Sequence, residues 1–387
     1  MNTIPSEEPQ NVVIVGATGN VGSELVRQII QYDGKHEGHA HPTNIIGLVS
    51  SEYIIEVTED DLPGLHQNTG NIAAMRHYLR TLLQENGTLY DGNLQTVSGF
   101  IDDSSPLKAP VVIDVTALKG RRVIDFHKEV LKDGRMLVTA NKNPLSLGTY
   151  ETFRNLTNDR RRYAYGPTVM AGGEAIRWLQ QMVDLRETPE VIRGCFSGTL
   201  GYIASELEKG EKTFSVIVRE AQKAGYTEPH PWDDLNGLDV ARKAVILARS
   251  ADIPISIRDI KLTPFIDEKY GEITDVEEFL MSIEEENEPM RKKMAKAQKR
   301  GNTLRYVAEI IREGSQYNVE VGLKEVPIQS ELGQLKGTAN IVEFVGGYRA
   351  PKECPHVIKT KGAGLERTAG VVRSSLLDLL PERHNMA

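Results

Sequence analysis

At 387 residues, with 40% hydrophobic and 26% charged residues, the chain is long enough for two domains that each bury a sizeable core. A formal net charge of −8 argues against a nucleic-acid partner, and the densest basic run, Arg160-Arg161-Arg162, follows Asp159 and fits a solvated loop. The two cysteines, Cys195 and Cys354, give no disulfide framework and fit a reduced, cytoplasmic setting, and no apolar run approaches the ~18 residues that span a bilayer.

The N-terminal residues 1–10 carry neither a basic flank nor an apolar core, so no signal peptide is read there. Residues 11–26 read as a buried strand (Asn11-Val12-Val13-Ile14-Val15), a glycine-rich turn and the start of a helix. In that setting Gly16 lets the chain turn, Gly19 admits a pyrophosphate close to the backbone, and Gly22 lets helix and strand pack. Thr18, Asn20 and Val21 lie among these glycines, where a helix N-terminus offers N–H groups to phosphate. The pattern predicts a Rossmann-type dinucleotide-binding domain. A second strand over Asn44–Val49 ends at Ser50-Ser51-Glu52, where an adenosine ribose would be met. Ser50 and Ser51 tolerate a 2′-phosphate and lean towards NADP, whereas Glu52 leans towards NAD, so the preference stays open. Residues 62–93 read as a polar, partly helical insertion whose Ile72, Ala73, Met75, Tyr78, Leu79, Leu82 and Leu83 are packing contacts. Pro110–Ala117 reads as a central strand with a polar end that includes Thr116. Met136–Lys142 is another, and it puts Lys142 at a strand's C-terminal edge, where open α/β sheets bind ligands.

After residue ~165 the strand–helix alternation changes, which suggests a second, α+β domain. Val191–Ile203 reads as a strand followed by a Ser197-Gly198-Thr199 turn. Cys195 sits mid-strand among apolar residues and Cys354 in a loop, so neither has the setting of a nucleophile and thioester chemistry is not expected. Gly225–Lys243 is a turn-rich acidic loop running into a mostly apolar helix. Asp239 and Lys243 lie four apart and share a helix face, either as an inert surface bridge or as a site. Residues 303–311 and 317–327 alternate as strands, and Lys361-Gly362-Ala363-Gly364 opens a terminal helix with a second glycine-rich turn.

The loop and helix at 225–243 resemble homoserine dehydrogenase almost residue for residue, and the resemblance extends over nearly the whole chain. Thr139-Ala140-Asn141-Lys142 matches that family's motif, as do Gly198-Thr199 and Leu335–Phe344. The resemblance implies a monofunctional short form without a regulatory domain. It would reversibly reduce L-aspartate 4-semialdehyde to L-homoserine with NAD(P)H, in threonine, methionine and isoleucine biosynthesis. It further implies a dinucleotide-binding domain over 1–165 completed by 355–387, and a substrate-binding and dimerisation domain over 166–354, in a homodimer. Lys243 is the expected proton donor, oriented by Asp239, with Lys142 as rival or partner. Glu228, Asp234, Tyr226, Gly198 and Thr199 would hold the amino acid, while Gly16, Thr18, Gly19, Asn20, Val21, Gly22, Ser50, Thr116, Ala117, Lys142 and Gly362 would line the cofactor. NADP is the expected cofactor, with NAD as the alternative.

Three departures from the family stand out. The glycine spacing is Gly-x-x-Gly-x-x-Gly, with Ala17 where the family's first glycine stands. Gly166 replaces the glutamate that holds a sodium ion, leaving only the carbonyls of Val169, Ala171 and Gly173 as ligands and arguing against that ion. His230 replaces the usual aspartate of the acidic loop. Two other functions compete: a related NAD(P)-dependent oxidoreductase acting on another small aldehyde or alcohol, and a silent cofactor-binding paralogue.

Overall fold

The computed structural model describes residues 9–33, 42–103, 110–132, 134–170, 174–362 and 364–380. The chain divides into two compact units, Met1–Gly173 with Gly364–Ala387, and Glu174–Ala363.

In the first unit, Val12, Val13 and Ile14 are all fully buried. Continuous rather than alternating burial marks a strand covered on both faces, as parallel sheets require. That strand, β1 (Gln10–Val15), is followed by β2 (Thr43–Val49), β3 (Tyr53–Glu56), β4 (Thr88–Leu89), β5 (Val111–Asp114), β6 (Met136–Thr139) and β7 (Tyr163–Ala164). They form one sheet in the order β4-β3-β2-β1-β5-β6-β7. The β2-β1-β5-β6-β7 portion is parallel, whereas β3 and β4 are added antiparallel. The order reverses at β1, between β2 and β5, which is the switch point where doubly wound sheets bind ligands. Register aligns Val15 with Asp114, and Asp114 with Thr139. The loops that begin at Gly16, Val115 and Ala140 therefore leave the sheet side by side.

The insertion at 62–93 holds the helices Leu62–Gln67 and Ile72–Asn86, and Met75, Leu79, Leu82 and Leu83 of the second helix enter the core. The terminal helix Leu365–Asp378 also belongs here: Ala369, Val372 and Leu376 join Leu25 and Val26 of the Asn20–Gln28 helix, and Ile29 just beyond it, in one apolar cluster. Arg373 grips Asp33 through two contacts of 2.5 Å, and Gln28 donates to the carbonyl of Glu366 at 2.8 Å.

In the second unit, β8 (Val191–Cys195), β9 (Lys261–Leu262), β10 (Asn302–Glu313), β11 (Gln316–Pro327), β12 (Asn340–Val345) and β13 (His356–Thr360) form a sheet in the order β13-β12-β8-β10-β11-β9. It is antiparallel except for the β11–β9 pair. The expected domain boundary at 355 moves to 364, because His356–Thr360 pairs with β12 and so belongs to this sheet. The boundary expected at 165 moves to 173, since the turn at Gly166–Thr168 stays with the first unit, where Thr168 donates to the carbonyl of Tyr165 at 2.7 Å.

Candidate active site

Three glycines shape the turn after β1. Gly16 has φ +94°, and a side chain there would press on Thr116. Gly19 caps the helix Asn20–Gln28. A Cβ on Gly22 would overlap the carbonyl oxygen of Gly16 and come within 2.8 Å of the Ala17 Cα. The first i to i−4 hydrogen bond is Ser23 N to Gly19 O at 2.9 Å, so the amides of Asn20 and Val21 lack an intrahelical acceptor. Bare glycine faces beside free helical N–H groups make a cradle that fits a dinucleotide pyrophosphate.

Ser50 also has a structural part at the tip of β2. It lies in the tight turn between β2 and antiparallel β3, where its hydroxyl oxygen accepts from the amides of Glu52 (3.2 Å) and Tyr53 (2.9 Å). That oxygen closes the turn, which leaves Ser51 and Glu52 as the exposed groups at the tip of β2.

Asp114, at the end of β5, is buried, and one of its carboxylate oxygens accepts from Thr116 N (2.9 Å) and Thr116 Oγ1 (2.7 Å). Asn141 Nδ2 donates to Thr116 Oγ1 (3.3 Å) and to the carbonyl of Leu118 (3.0 Å). Asn143 Nδ2 donates to the carbonyls of Ala117 (3.2 Å) and Leu118 (3.1 Å). Lys142, half-buried, is thus carried between two asparagines that both grip the Thr116–Leu118 loop. Behind Asp114 stand His127 and Tyr163, which the sequence reading missed. The available signal was His127 on the same stripe as Val123, Phe126 and Val130, the apolar face of the Arg121–Lys132 helix.

In the second unit, Ser197-Gly198-Thr199 is a helix N-terminus rather than the expected turn. Ser197 caps the helix Gly198–Lys209 by accepting from the Leu200 amide at 3.2 Å. Thr199 Oγ1 donates to the carbonyl of Tyr226 at 2.5 Å, and the rings of Tyr226 and Tyr202 meet edge to face with centroids 5.0 Å apart. Asp234, on the short helix Trp232–Leu235, accepts from the Glu228 amide at 2.8 Å. Burial lifts its carboxyl from an ordinary 3.8 to about 6; hydrogen bonds from the Glu228 amide and Thr199 oppose the rise, while Glu228 and Asp239 add to it. The single hydroxyl proton of Thr199 can serve either Tyr226 or Asp234, and the 2.5 Å contact favours Tyr226.

Gly237, at φ +74°, starts the helix Leu238–Ser250, and a Cβ there would collide with the Tyr306 hydroxyl. This helix carries Asp239 and Lys243. Lys243 Nζ lies 2.7 Å from Asp239 Oδ2 and donates to the Phe196 carbonyl at 2.7 Å. The second unit thus gathers Thr199, Tyr226, Glu228, Asp234, Asp239 and Lys243. Gly362 lies in this unit, and a Cβ on it would land on the carbonyl of Thr338, 3.3 Å from Gly198 Cα. Cys195 is fully buried and its thiol is pushed up to about 12 by burial, so it is no nucleophile at neutral pH. Of the three carbonyls offered for a cation, that of Val169 lies on a buried residue, and Ala171 and Gly173 lie outside the described residues. Among the described residues, no helix is long and apolar enough to cross a membrane.

A family model for homoserine dehydrogenase matches residues 175–377. The chain is 32% identical over 292 residues to homoserine dehydrogenase of Paracoccidioides brasiliensis, covering 72% of this chain and 77% of that protein. It is 34% identical over 274 residues to bifunctional aspartokinase/homoserine dehydrogenase 1 of Zea mays, a match covering 70% of this chain and 29% of that longer protein. A solved Candida auris protein of unknown function shares the fold, with a TM-score of 0.78 and 25% identity, over 96% of this chain and 98% of that one. On the family match and the Paracoccidioides relative together, the chain belongs to the homoserine dehydrogenase family.

Proposed function

We propose that the protein catalyses the reversible NAD(P)H-dependent reduction of L-aspartate 4-semialdehyde to L-homoserine. The observation that carries this reading is the second unit's cluster: a lysine held by Asp239, on a helix whose Asp239 also neighbours the carboxylates of Asp234 and Glu228. An amino-acid aldehyde presents an ammonium and a carbonyl, and this cluster answers both.

Bound on the glycine cradle of the first unit, the reduced nicotinamide would supply a hydride. Glu228 and Asp234 pair with the substrate ammonium, and the N-terminus of the Gly198–Lys209 helix faces its carboxylate with N–H groups. Lys243 gives a proton to the aldehyde oxygen as its negative charge develops, and takes one back in the reverse direction. Asp239 and the Phe196 carbonyl hold that ammonium in place. Lys142 is the second candidate for the proton, on a segment that the Asn141 and Asn143 side chains tie to the Thr116–Leu118 loop. NADP is taken as the preferred form, because the exposed hydroxyl of Ser51 beside Glu52 at the tip of β2 tolerates a 2′-phosphate. The enzyme is proposed to work in the cytoplasm as a homodimer built through its second unit.

The test is nicotinamide absorbance with L-aspartate semialdehyde and either reduced cofactor, and with L-homoserine and either oxidised one, with and without sodium. Turnover in both directions supports the assignment. Bound dinucleotide without turnover of either compound refutes it, and turnover of a different small aldehyde would move the protein to a related oxidoreductase.

A further inference from the structure

Three fully buried polar groups lie behind the first unit's ligand-facing loops. His127 Nδ1 is 2.8 Å from the Tyr163 hydroxyl, and His127 Nε2 is 2.9 Å from Asp114 Oδ2. His127 is 0%, Asp114 1% and Tyr163 1% exposed, so none of them can reach a substrate or a cofactor directly. Groups buried this deeply are costly unless they are hydrogen-bonded, and here His127 lies between the other two and bonds both.

The direction of the chain follows from the donors. Burial, with Asp114 nearby, raises Tyr163 well above its ordinary value, so it keeps its proton and donates to Nδ1. With Nδ1 accepting from Tyr163, Nε2 is the ring nitrogen that donates to Asp114. The second oxygen of Asp114 remains for the amide and hydroxyl of Thr116.

We propose that His127, with Tyr163 behind it, is a positioning residue for dinucleotide binding: by holding Asp114 it fixes Thr116 and, through Asn141, the loop that carries Lys142. This rests on the dinucleotide reading above. One continuous network joins the three loops that leave the sheet side by side. Gly16 abuts Thr116, since a Cβ there would lie 3.1 Å from Thr116 Cγ2. Asp114 binds Thr116, and Asn141 bridges Thr116 and Leu118. Without His127, Asp114 Oδ2 loses a buried donor, and the carboxylate is free to rotate away from Thr116. The effect should therefore be read at the cofactor.

The experiment measures the Kd for NADPH by fluorescence, alongside the Tm, for the whole protein and for His127→Phe, His127→Gln and Tyr163→Phe. Phenylalanine fills the space without donating, whereas the glutamine amide can place an N–H near the position of Nε2. His127→Phe is expected to weaken NADPH binding about tenfold, the scale of one lost buried hydrogen bond, and His127→Gln to recover all but about threefold. Tyr163→Phe is expected to weaken it about two- to threefold. Equal losses for Gln and Phe, or a folded His127→Phe that binds within about twofold of the parent, would show a packing role only and overturn the proposal. If His127→Phe does not fold, an unchanged Kd in Tyr163→Phe overturns it instead. Failure of the unaltered protein to bind either NADPH or NADH would overturn the dinucleotide reading itself, and this inference with it.

Discussion

Lys243 and Asp239 meet at 2.7 Å across one turn of the Leu238–Ser250 helix, and the same ammonium reaches the carbonyl of Phe196 just beyond β8. One cation is thereby held by two elements that are far apart in sequence. An i, i+4 pair with one side chain 39% exposed stabilises a helix by only about 0.3–0.5 kcal/mol, so the pair's main consequence is placement of the lysine. Lys243→Met, which keeps the aliphatic stem, should lower kcat roughly 10²–10⁴-fold while barely moving the Tm. A loss below about tenfold, with a large loss in Lys142→Ala, would give the proton to Lys142.

Asp234 sets a pH dependence whose sign can be worked out. Its folded value, about 6, lies above its ordinary 3.8. The stability associated with the protonated form is therefore present below the lower value and lost as pH rises through the upper one. Asp234→Asn cannot ionise, so its Tm should gain on the parent between about pH 4 and pH 6.5 and hold that gain above. Catalysis should run the opposite way, because a substrate ammonium needs the carboxylate. In pH profiles, kcat/KM for the aldehyde should fall about tenfold per unit below about pH 6, and Asp234→Asn should lose that limb.

Glu228 is exposed next to Asp234, which its amide already anchors. Glu228→Gln leaves the backbone contact in place and removes one charge. Steady-state kinetics should show KM for the amino-acid substrate rising about 10–100-fold, in line with a lost charge-assisted hydrogen bond. Dinucleotide affinity should not change, because the cradle belongs to the other unit.

Gly22 has no room for a methyl group between its helix and the Gly16 turn. Gly22→Ala should cost about 1–3 kcal/mol of stability by overpacking. It should also weaken NADPH binding, since relief of the clash opens the cradle. Calorimetry and fluorescence titration on the same variant would check both, and an unchanged Tm would show that the turn yields easily.

Features confined to one element were legible in the sequence. The buried strand and glycines at 12–22 read correctly because periodicity and steric need act over a few residues. Asp239 and Lys243 read correctly because helical geometry alone brings them together. Ser197-Gly198-Thr199 looked like a turn because a helix opening with glycines carries a weak local signal. The antiparallel return of β3, which engages the Ser50 hydroxyl, was not legible because it depends on pairing between strands. His127, Asp114 and Tyr163 could not be joined beforehand: they are 13 and 36 residues apart, and only the packing of a helix against two strands brings them together.

The helix Leu365–Asp378 has a consequence for how the chain is made. Its apolar side completes a core begun by β1 and the Asn20–Gln28 helix, yet the whole of the second unit lies between them in sequence. On a ribosome, residues 174–363 emerge before that helix does, so the inserted unit can fold while the enclosing one still lacks a wall. Such non-local closure is slow and leaves apolar surface exposed in the meantime. A chain truncated before residue 365 and released should therefore be protease-resistant in its second unit and readily cut in its first.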